Sequence, residues 1–186
     1  MTLNAAAPGP HTAGEPGKGG FDQRKDKNMA LGFLRGAAAG AAGTTALDAA
    51  TYLDMAVRGR GSSSAPQELV KAVADRAGIG IPGHGDEKDN RLAGLGPLSG
   101  TGVGVVVGAA AATVLGALRT RGVRLPAPVP VVLIGAAAMA LSDVPLKLFG
   151  ISDPADWEGK DWAADAIPHL LYGLVTYATI RATEDR

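Results

Sequence analysis

Three carboxylates and an imidazole stand inside stretches of the chain that otherwise carry almost no charge: Asp48, Asp143, Asp165 and His169. An ionisable side chain among apolar residues is costly. It needs a partner or a wet cavity, and it marks where chemistry is to be sought. An imidazole beside carboxylates suits a proton relay, a small-cation site or an acid/base pair. The plainer role is structural, with Asp48 and Asp143 hydrogen-bonding Ser, Thr, His169 or Lys147 to fix helix register. Asp54 and Lys147 are boundary groups just beyond these four, and Asp143 and Lys147 have the i,i+4 spacing of a helix ion pair.

Apolar stretches must carry these residues. Leu92 to Leu118 runs uncharged between Arg91 and Arg119, longer than the about 20 apolar residues that a bilayer core requires. Similar stretches at residues 31–57, 126–149 and 162–181 complete four expected membrane spans, the third opened by Pro126, Pro128 and Pro130, which a helix start tolerates. Trp157 and Trp162 flank the entry to the fourth, where indoles favour the membrane boundary. Small residues recur every fourth position at Gly32, Gly36 and Gly40, and again at Gly96, Gly100, Gly104, Gly108, Ala112 and Gly116. That spacing bares one side of each helix for close approach, so spans one and two are expected to pack as a glycine zipper. Between them residues 58–91 are too charged to span. There Ser64 and Gln67 have capping-box spacing, and Leu69, Val70 and Val73 share an apolar side above a Lys71–Asp75 pair, which predicts a short amphipathic surface helix over 65–77.

The 186 residues hold 18 basic and 18 acidic side chains and no Cys. A neutral total gives no reason to expect a nucleic-acid partner, and the missing cysteines exclude disulfides and thiolate chemistry. Residues 1–28, rich in Pro, Gly and charge, are expected to form a disordered polar tail ahead of a membrane domain at 29–186. A signal peptide over Met29 to Val57 is disfavoured by Arg35, which interrupts its apolar region.

Alternating passes fix relative depth. At 1.5 Å rise per residue, Asp48 is about 8 Å from Leu53, Asp143 about 9 Å from Phe149 and His169 about 10 Å from Trp162. All three distances are measured toward the same face, so these residues and Asp165 form one polar layer in one leaflet. Pro145 and Pro168 free helix carbonyls at the same level. The Lys and Arg bias between the two faces is slight, but the turn bearing Arg119, Arg121 and Arg124 places both termini in the cytoplasm of a cell-membrane protein.

Other motifs carry less. His84, Asp86, Glu87 and Asp89 follow neither calcium-loop nor zinc-helix order and read as a solvated turn. Gly100, Gly102 and Gly104 mimic a nucleotide loop but lack its strand and its Lys, so they read as packing. No residue is assigned a catalytic or metal-ligating role, and no cofactor is expected. The strings Thr44 to Asp48, Arg58-Gly59-Arg60 with the Ser run after it, Ser142 to Pro145, Ser152 to Pro154 and Pro168 to Gly173 resemble a group of small actinobacterial integral membrane proteins of unassigned activity. The resemblance implies a four-span layout with short loops and transfers no site.

The expected fold is therefore all-α, a polytopic four-helix membrane bundle. Its leading reading is a structural or interaction role, with lipids and a second copy or another membrane protein as partners. The alternatives are proton or small-cation permeation or sensing through the Asp/His layer, and an intramembrane enzyme acting on a lipid or isoprenoid.

Overall fold

The computed structural model describes residues 18–184, with side chains from 29 to 183. Every regular element among them is helical: α1 (Lys18–Arg58), α2 (Ala65–Arg76), α3 (Asp86–Thr120), α4 (Pro128–Leu148) and α5 (Gly159–Glu184), with a 3-10 turn at Pro154–Asp156. Helices α3 and α4 are long and apolar enough to cross a membrane, and only 22% and 28% of their most apolar windows are buried inside the protein. The core helix of a soluble protein would hide most of such a window. Here Val106, Val114, Val132, Leu133 and Leu141 are exposed instead.

Two helix starts differ from the sequence reading. Helix α1 already runs at Lys18, so residues 18–28 belong to it rather than to a disordered tail; residues 1–17 lie outside the described residues. Helix α3 begins at Asp86, inside the run read as a solvated turn. The cause is local: Gly85 takes φ 53, and Asp86, Glu87 and Asp89 then fall in the first turn, where carboxylates meet the positive end of the helix dipole. Glu87 also pairs with Arg91 at 2.7 Å.

Helix α2 forms where expected, and Lys71 pairs with Asp75 at 2.9 Å. Its capping box does not form. Ser64 adopts helical torsions without capping a backbone N–H, and its hydroxyl donates to Glu68 Oε1 instead.

The long helices pack antiparallel to their neighbours, α1 against α3 and α5, and α4 against α5. Glycines let backbones meet. A methyl group on Gly108 would stand 2.5 Å from Gly36 O and Gly40 Cα, one on Gly36 would stand 2.6 Å from Ala112 Cβ, and one on Gly40 would strike Gly104 O. The repeat is only partly used: Gly96 faces the backbone of Pro66 and Gln67 on α2, and substituents on Gly32, Gly100 or Gly116 would meet nothing within 4 Å. Three glycines outside the repeat make equally close contacts. Gly43 lies against Thr176 and Tyr172, Gly135 against His169 O, and Gly173 against Val131 O. Val107, Ile134, Ala138 and Tyr172 form the buried core, flanked by Leu47, Val103, Leu115 and Tyr177.

Candidate functional site

On one side of this core the helices part around a cavity of about 590 Å³. Its mouth lies among Arg58 at the end of α1, Arg60, Ser62 and Ser63 of the first connection, and Ser152 and Trp157 of the connection after α4. These two connections therefore share one end of the bundle. Arg76 over the Phe149 ring, 5.8 Å from its centroid, ties the same end together.

Asp48 from α1, Asp143 from α4 and Asp165 and His169 from α5 all line this cavity. Helix length and alternating direction suffice to bring them to one level. His169 is the most enclosed, its side chain 9% exposed. Its Nδ1 lies 2.8 Å from the Asp165 backbone oxygen and 3.4 Å from Asp165 Oδ2, a carboxylate oxygen that is buried without a hydrogen-bond partner among the described residues. A carbonyl only accepts, so Nδ1 carries a proton toward it, and in the neutral ring Nε2 is then the acceptor. The Asp143 carboxyl shares the cavity with Asp165 and His169 across the α4–α5 contact, close enough for their charges to act on it. Asp48 faces the cavity from the opposite wall and forms no hydrogen bond or ion pair among the described residues.

The backbone explains why these groups converge. Gly135 and Gly173 bring α4 and α5 into backbone contact beside His169, so Asp143, two turns along α4, is carried to the face of α5 that bears Asp165. Pro168 cannot donate to Ala164, and both residues line the cavity, leaving an extra carbonyl acceptor there. Two facing carboxyls and an imidazole can hold and pass a proton or attract a small cation.

The boundary groups are engaged elsewhere. Asp54 pairs with Arg60 at 2.5 Å and with Arg58 at 3.6 Å, which fixes the mouth. Lys147 does not pair with Asp143; it reaches Asp153 at 3.0 Å. Gly150, at φ 68, turns the chain back so that Asp153 comes beside the last turn of α4. The Asp153 carboxyl also accepts the Ala155 N–H, and this bond together with Lys147 holds it below the usual carboxylate range. Trp157 donates to Ser152 Oγ at 3.0 Å and meets Trp162 edge to face at 5.2 Å, closing the same turn.

Sequence reasoning missed the floor. Tyr172 is 1% exposed, donates to Gly104 O at 2.6 Å, and closes the inner end with Thr44, whose hydroxyl donates to Gly40 O at 3.0 Å. The signal was present, since Tyr172 follows His169 by three residues and so shares its helix face. No family model, curated protein or solved structure matches this chain.

Proposed function

We propose that this is a four-pass membrane protein that takes a proton or small cation from one face of the membrane into a closed-ended cavity, as a binding or sensing protein and not as a through-pore. One observation carries the reading: Asp48, Asp143, Asp165 and His169, drawn from three helices, line a single cavity with its mouth at one end of the bundle and Tyr172 at its floor. Ionisable groups in a bilayer characteristically face such cavities. The exposed apolar residues of α3 and α4 support membrane placement, and the α1–α3 glycine contacts support a glycine zipper within the bundle. Helices α1 and α5 supply the other two passes. Placing the Arg119 to Arg124 turn in the cytoplasm turns the mouth toward the outside.

A structural or interaction role is the second reading. It is favoured by Gly116, whose open side leaves bare backbone for a further helix.

Trp157 at the mouth supplies the test. Its fluorescence in detergent-purified protein should respond to a small organic cation such as tetramethylammonium, and Asp143→Asn should suppress the response. Proteoliposomes should show no steady proton leak. A response unchanged in Asp143→Asn would remove the site from the function, and a sustained leak would replace binding by permeation.

A further inference from the structure

A second pocket, of about 150 Å³, lies at the opposite end of the bundle. Arg119 comes to it from the last turn of α3, Arg124 from the following connection and Arg181 from near the end of α5, while Leu115, Leu118 and Tyr177 contribute apolar wall. No Asp or Glu is among its lining residues. Arginines at helix C-termini commonly complement the helix dipole, which accounts for Arg119 and Arg181. It does not account for Arg124, which belongs to no helix. Among the described residues neither Arg124 nor Arg181 forms an ion pair.

A guanidinium cluster with an apolar flank, set at the ends of helices that cross a bilayer, matches a phosphate headgroup whose chains run down the helix surface. We infer that this pocket binds the headgroup of an anionic phospholipid, in the leaflet opposite the cavity mouth. The inference rests on the membrane reading above and is independent of what the cavity holds. The planar guanidinium forks offer paired donors to phosphate oxygens, and Leu115 and Leu118 lie where the glycerol and first methylenes would pass. Arg121 is exposed on the same connection but does not line the pocket, so it separates a defined site from diffuse attraction between basic residues and an anionic surface.

The test is fractionation followed by native mass spectrometry of the full chain in detergent, with phosphatidylglycerol, phosphatidylcholine or inorganic phosphate added. Phosphatidylglycerol should be retained in preference to phosphatidylcholine. The double variant Arg124→Ala/Arg181→Ala should lower that retention about tenfold, and Arg121→Ala should leave it unchanged. Arg124→Ala alone, an exposed loop change, should give a partial loss and serves if the double variant does not elute as wild type. Equal retention of the two lipids, an equal loss with Arg121→Ala, or displacement of the lipid by inorganic phosphate would each overturn the site. Recovery of the chain in the soluble fraction would overturn the membrane reading and this inference together, whereas membrane-bound protein without lipid preference would overturn this inference alone.

Discussion

The two halves of the bundle solve opposite problems. In the half below Tyr172, Gly36, Gly40 and Gly108 bring α1 and α3 into backbone contact, and the core closes around Val107 and Ile134. In the half above it the same helices diverge, and carboxylates that cannot be buried alone share a cavity. The difference shows how a bundle with few large side chains can hold an open polar site. Backbone contact in one half fixes the helix directions, so the other half need not pack to stay in place. Substitutions should accordingly have opposite consequences in the two halves.

The largest effect belongs to the tight half. Gly108→Leu places carbon where Gly36 O and Gly40 Cα already stand, and neither backbone can yield without moving a helix. A loss of about 3 kcal/mol or failure to fold is expected, measured by unfolding in detergent. Gly116→Leu, with open space around it, should be nearly neutral. Equal losses at Gly108 and Gly116 would mean that α1 does not rest where this contact puts it.

Tyr172→Phe comes next. It leaves Gly104 O without its buried donor and should cost about 1–2 kcal/mol, with a more accessible floor detectable by solvent exchange at the neighbouring amides. In the open half the sign reverses. Asp48 has no partner to lose among the described residues, so Asp48→Asn should leave stability unchanged or raise it by up to about 1 kcal/mol, while weakening the cation response proposed above. A clear loss of stability would show that Asp48 is a structural group and narrow the site to α4 and α5. There a double-mutant cycle between Asp143→Asn and His169→Gln should give a coupling on the order of 1 kcal/mol, whereas strict additivity would separate the two side chains.

What the sequence made legible follows the same division. The common depth of Asp48, Asp143, Asp165 and His169 needs only helix rise and alternating direction, both of which can be counted without knowing any contact. Contacts were harder. Gly43, Gly135 and Gly173 belong to no four-residue repeat, and their close approaches depend on where α5 crosses its neighbours. Gly32 and Gly116 fit the repeat but lie beyond the crossing, where helices have already separated. The start of α3 was hidden because Asp86, Glu87 and Asp89 lower the apolar signal while favouring a helix N-terminus. Asp143 was the natural helical partner for Lys147, until Gly150 returned Asp153 to the same place.

The smallest effect tests that last exchange of partners. Asp153 is held below its usual range first by the Ala155 N–H and then by Lys147. A carboxyl lowered in the folded state contributes fully above its unfolded value of about 3.9, and that contribution is lost as pH falls through the folded value. The turn from Ser152 to Trp157 should therefore loosen only in acid. Because Lys147 and Asp153 are partly exposed, salt should weaken the Lys147 share while leaving the backbone bond. Trp157, whose indole bonds Ser152 in this turn, reports the change. Its emission should shift below about pH 4 in the wild type, less steeply in Lys147→Met, and not at all in Asp153→Asn, where the titrating group is gone. A shift that survives Asp153→Asn would separate the turn's acid response from the Lys147–Asp153 pair.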